Sequence, residues 1–558
     1  MIVLALATVL PSVWAELYND DYPLLGILSG SMRDVYPSRL DIFNLFDGDP
    51  ERMRRMVDLG LLPWWADPGV RHAFWRPVSA LTHWVDYALW RDWPVPMHLH
   101  SLGWLGVLIG AAYATYRQFM GHTAAAGLAA LLYALDRPHG FNAVEVSSRN
   151  TMLGALFGVL TVLLHDRWRR AGWRLGTVAA PGCFAVALLS VENAVAAGGY
   201  LVAHAVFLER GSWSGRFRAL LPYGLVFGVW YLLYNGLGYG VTGHPDYINL
   251  VREPLRFASA LVERAPVFLS AQWFGPPAES VVVLPQAALV RWVAAVISLA
   301  VLLLLLAALL KRDPVARFWG LGQALAVVPL CAGSGLHDRY LLIVGLGAMG
   351  LLAQFLWGLA SQAPWCPQRP VALRAAMLMA CGLVGIHAIV SPLQVLGSTI
   401  SRAAMKPLAD TLPADPAIRR QVLVVVNVPP GGAGLAYWFF ARTVKNLPIP
   451  GQTRALTFGL PSIRIERIDA SSLRVRWGGR HEVVRPPGRP LAVGQWTHLA
   501  GTDVEVTAMS HEGWPVEAIF RFDTTLEDPQ FRWVEWDKSR GHFAAFQPPA
   551  IGESAIVR

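Results

Sequence analysis

Two carboxylates stand side by side in Tyr18-Asn19-Asp20-Asp21-Tyr22-Pro23, directly after an apolar run from Met1 to Ala15. An aspartate at the mouth of a membrane span can act as a general base toward an attacking hydroxyl. Farther along, one short polar stretch carries Arg137, His139, Glu145 and Arg149, and His337-Asp338-Arg339-Tyr340 opens a later apolar run. An arginine at a membrane boundary suits a phosphate, because its fork is planar and permanently charged. The chemistry such a set could do is group transfer from a lipid phosphate to a hydroxyl. A base takes the acceptor's proton, and guanidinium groups hold the phosphate as it gains charge on leaving. Phosphate departs as an anion, so no general acid is needed, and the paired carboxylates of ordinary glycosidases are not the pattern to seek.

Each residue also has a plainer reading. Asp20 and Asp21 can simply cap a helix; as a base, Asp20 comes before Asp21. Glu145 stands four residues before Arg149 and can pair with it on one helix face. His139 follows Pro138 and suits a turn or a helix cap, and the arginines can be headgroup anchors. His83 and Asp86 can meet across one helical turn. His98 and His100 are two apart and do not share a helix face. Cys183, Cys331, Cys366 and Cys381 are far apart and have no zinc or dithiol spacing. No metal-ligand set is read from the sequence.

The elements that must position these groups follow from composition. The chain has 558 residues, 54% apolar and 15% charged, and its mean hydropathy is +0.39. Soluble domains carry roughly 25% charged residues, so this is a membrane protein. The net charge of +9 sits in short clusters between apolar runs, with no basic stripe carrying stacking aromatics, which argues against nucleic acid. Crossings are expected at the first apolar run and near 97–116, 120–136, 150–165, 175–192, 194–209, 218–238, 281–310, 316–332, 340–360 and 371–394. Every second loop is basic: Arg117, then Arg167 to Arg174, Arg210 to Arg218, Lys311 to Arg317, and Arg369 with Arg374. That alternation is the positive-inside pattern. It puts Asp20/Asp21, the 136–150 segment, the 239–280 loop and the 335–339 segment together on the outer side. The first run lacks a basic n-region, which favours an uncleaved helix over a cleaved signal.

Loop 16–96 is read as carrying interfacial helices, with Trp64-Trp65 and Trp75 at headgroup level and Asp49-Pro50 starting a helix. Residues 251–274 read as an amphipathic helix on the outer surface or dipping into it. Strand-like runs follow at 422–428, 462–468, 473–477, 504–509 and 516–522, with Gly-Gly turns at 431–432 and 478–479. The expected organisation is a helical membrane domain over 1–396 and a β-rich extracytoplasmic domain over 397–558.

Phe74-Trp75-Arg76-Pro77-Val78-Ser79 with Asp86-Tyr87-Ala88-Leu89-Trp90, the segment Ala130–Leu153, and His337-Asp338-Arg339-Tyr340-Leu341 occur in that order. Together with the acidic pair they resemble segments of the transmembrane and tetratricopeptide-repeat O-mannosyltransferases and their bacterial relatives. The resemblance covers roughly residues 1–360. Asp136 stands where that family has a histidine, His337-Asp338 where it has a glutamate, and no tetratricopeptide repeats follow. The resemblance implies a GT-C membrane fold of about eleven transmembrane helices in the bacterial inner membrane. It implies a polyprenyl-phosphate sugar donor, mannose among the candidates, and a protein or glycan acceptor. Asp20 or Asp21 would be the base. Arg149 and Arg339 would lie near the lipid phosphate, with Arg76, His139, Glu145, His337 and Asp338 lining the substrate. No cofactor is demanded, and a divalent metal is compatible. The alternative is a non-catalytic protein of the same fold whose C-terminal domain binds an envelope partner. A transporter fits less well, because the ionisable residues sit at span ends and not near the midplane.

Overall fold

The computed structural model describes residues 1–244, 246–403, 411–412, 414–428, 435–458, 462–478, 485, 489–511 and 513–557, the side chains of Phe141 and Val283 excepted. The chain forms two compact units. Met1–Leu17, Trp75–Leu237 and Asp246–Met405 make the first; Tyr18–Phe74, Gly238–Pro245 and Lys406–Arg558 make the second. Two of the loops expected to accompany the membrane domain thus cluster with the C-terminal residues.

In the first unit each of the eleven expected crossings is helical. Among the described residues, six helices are long and apolar enough to cross a membrane: Pro94–Phe119, Val146–Arg169, Trp213–Gly236, Pro285–Arg312, Asp338–Ala360 and Pro370–Arg402. The other five, such as Thr123–Ala134 and Ala197–Phe207, fall below the ~20 residues that a straight crossing needs. Burial separates inner from outer helices. The apolar windows of Val146–Arg169 and Asp338–Ala360 are 89% and 83% buried, whereas those of Trp213–Gly236 and Pro285–Arg312 are 17% and 22% buried. Leu289, Val290 and Leu304 on the latter are each more than 70% exposed, a surface that only lipid satisfies.

The inner helix Leu342–Ala360 is clamped by three buried tyrosines from three other helices. Tyr116 donates to the Leu346 carbonyl at 2.7 Å, Tyr133 to that of Leu342 at 3.1 Å and Tyr200 to that of Ile343 at 2.8 Å. The Tyr200 hydroxyl also accepts from the Gly347 amide at 2.8 Å. A Cβ at residue 347 would lie 2.6 Å from that hydroxyl, so only glycine allows the approach. Helix Pro254–Phe274 is present where an amphipathic helix on or dipping into the outer surface is expected, and its second half is core: Phe268, Ala271 and Trp273 are buried, and Trp273 Nε1 donates to Gln323 Oε1 at 3.0 Å.

The second unit holds three sheets. Asn44–Asp47, Arg71–Ala73 and Gly240–Thr242 form an antiparallel set. A six-stranded antiparallel sheet runs in the order Ser554–Val557, Ile463–Arg467, Ser472–Trp477, Pro515–Phe522, Thr502–Met509, Trp496–Leu499. The third runs His542–Ala545, Phe531–Asp537, Val422–Val428, Gln452–Phe458, its last three strands parallel. Helix Leu435–Val444 lies in sequence between the parallel strands Val422–Val428 and Gln452–Phe458, as a parallel connection requires. All five expected strands are present; the Gly-Gly turns lie, apart from Gly478, outside the described residues. Asp49 caps helix Pro50–Asp58, accepting from the Arg52 amide at 2.8 Å.

The interfacial reading of Trp64 and Trp65 is corrected. They are 4% and 1% exposed and pack edge-to-face in the core of the β-rich unit, where Trp64 Nε1 donates to the Leu456 carbonyl. A tryptophan pair in a loop suits either place, because the ring is apolar and its one N–H needs a single acceptor.

Candidate active site

Two segments singled out in the sequence, about 200 residues apart, interlock in the first unit. The Arg137 guanidinium donates through Nε to Asp338 at 2.6 Å. Asn142, fully buried on helix Pro138–Val144, donates to the Pro138 carbonyl at 2.9 Å and to the Arg339 carbonyl at 3.0 Å. Glu145 faces Arg339 at 3.6 Å. The 3-10 turn Asp338–Leu341 is fixed further by the Asp338 amide, which donates to Glu279 at 2.8 Å, and by the Ala278 amide, which donates to Asp338 at 2.9 Å.

Arg339 is thereby placed at the end of the clamped helix with its side chain 23% exposed. Its guanidinium donates to the Tyr340 hydroxyl at 3.2 Å and lies over that ring. The Tyr247 phenol interacts electrostatically with Tyr340, Arg76 and Arg339. Burial pushes the Tyr247 phenol well above its ordinary range and Tyr340 adds to that, outweighing Ser334 and the two arginines. It is therefore a neutral donor. Arg76 is held by Glu192, both Nε and Nη2 reaching one carboxylate oxygen at 2.9 and 2.6 Å. The Arg76 charge is held firmly: burial works against it, but Glu192 outweighs burial. The second Glu192 oxygen is buried and accepts no hydrogen bond among the described residues. Tyr247 thus links Arg339 electrostatically to Arg76, which Glu192 holds, and cations, a neutral phenol and a carboxylate oxygen are groups able to bind an anion and a hydroxylated ligand.

Of the remaining candidates, Glu145 and His337 lie beside the 338–341 turn and the others sit elsewhere. Glu145 faces Arg339, and a 3-10 turn, Val146–Ser148, stands between it and Arg149, so the four-residue spacing does not lie on one continuous helix. Arg149 is fully buried and forms an ion pair with Asp86 at 2.6 Å. It also donates to the Ser101 hydroxyl and the Met97 carbonyl at 3.0 Å. Asp86 meets His100 at 2.6 Å as well. His139 is buried and caps the preceding helix, its Nε2 at 2.8 Å from the Tyr133 carbonyl. His337 lies 3.8 Å from Glu279; burial works against the Glu279 charge, but His337 and backbone amides outweigh it and hold the carboxyl below its ordinary value.

Asp20 and Asp21 belong to the second unit. Asp20 holds the N-cap position of helix Asp21–Ser29 without capping it through its side chain. Its carboxylate accepts from the Tyr437 hydroxyl at 2.6 Å. Asp21 is 2% exposed and accepts from the Tyr18 amide at 3.0 Å. Capping is thus not what the Asp20 side chain does. Sequence reasoning missed Tyr247 and the pairing of Arg76 with Glu192. Tyr247 stands in the expected outer loop with no motif around it, and Glu192 is a lone acid between two apolar runs.

No family model matches the chain, and no curated protein matches it. Among solved structures it is similar to the oligosaccharyltransferase of Archaeoglobus fulgidus tethered with an acceptor peptide containing the NVT sequon. That match has 12% identity, covers 81% of this chain and 63% of that one, and has a TM-score of 0.42. AglB of the same organism, in complex with an inhibitory peptide and a dolichol-phosphate, has 11% identity, 80% and 64% coverage and a TM-score of 0.42. ArnT from Cupriavidus metallidurans in the apo state has 14% identity, 78% and 84% coverage and a TM-score of 0.37. The chain spans less than two thirds of the length of the two archaeal proteins.

Proposed function

We propose that the chain is a membrane glycosyltransferase that moves a sugar, mannose being the first candidate, from a polyprenyl-phosphate donor to an extracytoplasmic hydroxyl acceptor in a bacterial inner membrane. The observation that supports it most is the interlocking of the 137–145 and 338–340 segments around Arg339, with Arg76 and Tyr247 beside it. Arg339 holds the lipid phosphate and stabilises the charge released on it. Arg76 adds a second cation, and Glu192 accepts a sugar hydroxyl. Arg149 is a positioning residue, since its donors are spent inside the fold. Asp20 takes the proton of the attacking hydroxyl, with Asp21 second; this rests on the family resemblance. The sugar's anomeric carbon then forms its bond to the acceptor oxygen as its bond to the phosphate oxygen breaks.

The test compares envelope glycoproteins and glycolipids by mass spectrometry in cells with the wild-type chain, with Asp20→Asn, with Arg339→Ala and without the chain. A hexose increment present with the wild type, strongly reduced with Arg339→Ala and absent with Asp20→Asn and without the chain is expected. No glycan difference on removing the chain would sink the enzyme reading. Transfer retained by Asp20→Asn, Asp21→Asn and the double variant would take the aspartates out of the base role.

A further inference from the structure

At the other end of the inner helices, among the basic residues Arg167, Arg169, Arg170 and Arg210, a second cluster is buried that plays no part in the site above. His165 lies on helix Arg149–Arg169 and His204 on helix Ala197–Phe207. Glu209 follows that helix, its amide turned back onto the His204 carbonyl at 3.2 Å. Both histidine side chains are fully buried, and that of Glu209 is 2% exposed.

His204 Nε2 faces the Asp166 carboxylate at 2.9 Å. A carboxylate only accepts, so Nε2 carries a proton, and in the neutral imidazole Nδ1 keeps its lone pair. His165 Nδ1 meets the Tyr223 hydroxyl at 2.9 Å, leaving Nε2 on the far side of the ring. His204 Nδ1 and His165 Nε2 are buried with no hydrogen-bond partner among the described residues. Both face the same oxygen, Glu209 Oε1, at 3.6 and 3.4 Å, and the three ligand atoms lie within 4.8 Å of one another.

Those separations exceed the 2.7–3.2 Å of a hydrogen bond to oxygen, yet buried imidazole nitrogens normally make one. They match a different figure. Metal–nitrogen and metal–oxygen bonds of about 2.0–2.2 Å arranged tetrahedrally put neighbouring ligand atoms roughly 3.3–3.6 Å apart. The outer partners suit the same reading. Asp166, itself held by Gln118 at 2.8 Å and Arg170 at 3.1 Å, orients one imidazole, and Tyr223 orients the other, as partners of ligating histidines do. Arg169 grips both Glu209 oxygens at 3.0 Å; each carboxylate oxygen retains a lone pair for a second interaction.

We propose that His165, His204 and Glu209 bind a divalent zinc-class ion that ties helix Arg149–Arg169 to the end of helix Ala197–Phe207, with water completing the coordination. Two imidazoles and a carboxylate are a zinc-type donor set.

The test uses the full chain purified in detergent, stripped of metal and titrated with Co²⁺. A tetrahedral Co²⁺ site absorbs strongly in the visible, and Zn²⁺ bleaches the band by displacement. The expected result is about one Zn²⁺ per chain, and an affinity lowered at least ~100-fold in His204→Gln and Glu209→Gln and roughly 10-fold or more in Asp166→Asn. The wild-type titration decides even if a variant fails to fold. Absence of a visible band with no tight Zn²⁺ uptake overturns the proposal, and so does undiminished uptake by a folded His204→Gln/Glu209→Gln double variant.

Discussion

Arg149 and Arg339 are the same residue type, each near the start of an inner helix in the first unit, and each was a candidate for the same phosphate. Arg149 has no exposure, with Asp86 at 2.6 Å and further donors on Ser101 and Met97. Arg339 keeps 23% of its side chain exposed, with Glu145 at 3.6 Å and the Tyr340 ring beneath it. The difference teaches that an arginine's role is set by where its donors are spent. A guanidinium saturated inside the fold organises it, whereas one with a loose ion pair at a helix end can exchange that pair for a ligand's oxygen atoms.

The largest effect expected from this contrast is on folding. Arg149→Ala strands the Asp86 carboxylate in the interior, and losing one partner of a buried pair costs about 3–5 kcal/mol. Thermal unfolding in detergent should show a pronounced drop in Tm or loss of the folded chain. Replacing both partners with apolar residues of similar size, Arg149→Met with Asp86→Leu, should recover most of that loss. A wild-type Tm in Arg149→Ala would erase the distinction between the two arginines.

Next comes binding. Arg339→Ala should lower the Tm less than Arg149→Ala, because its pair with Glu145 is long at 3.6 Å and the buried Glu145 carboxylate keeps the Ser148 hydroxyl as a donor at 2.7 Å. Loss of charge-assisted hydrogen bonds worth ~1.5–3 kcal/mol should lower transfer from the lipid-linked donor roughly 10- to 150-fold. Arg339→Lys keeps the charge but not the fork, so it should recover only part of that activity. A fall in stability equal to that of Arg149→Ala, with transfer intact, would reverse the assignment.

Much of this arrangement was legible in the sequence, for identifiable reasons. Apolar runs and basic loops marked the eleven expected crossings of the first unit, each of which is helical, because lipid and membrane topology impose strong compositional patterns. Apolar, β-branched runs bounded by glycine and proline marked the strands 422–428 and 516–522. Order and residue type singled out Arg76, Glu145 and Arg339 as candidates. Partnership was not legible. The four-residue spacing of Glu145 and Arg149 presupposed a continuous helix, and a 3-10 turn breaks it. Trp64 and Trp65 have equally good homes in an interface and in a β core, and only tertiary packing decides between them. His165, His204 and Glu209 carry no motif spacing, since two separate helices supply them. Edge strands such as Trp496–Leu499 and Ser554–Val557 are too short to show alternation.

The smallest expected effect separates a third role from the two arginines. His139 lies outside the membrane spans, buried, with Nε2 donating to the Tyr133 carbonyl. Burial lowers its pKa below the ordinary 6.5, outweighing the pull of Asp136 and that carbonyl. Its Nδ1 has no acceptor among the described residues, so the charged ring would carry an unpaired N–H. The unfolded chain takes up this proton near pH 6.5 and the folded chain only at lower pH. The stability contributed is therefore present above pH 6.5 and is lost as pH falls through 6.5 toward the folded value. Between pH 7.5 and 5.5 the wild type should lose more Tm than His139→Gln, which keeps a donor for Tyr133 but cannot titrate. The difference should be on the order of 1–2 °C. Equal slopes would mean that the ring is protonated in the fold, and His139 would then join Arg339 as a cation available to an anion instead of Arg149 as scaffold.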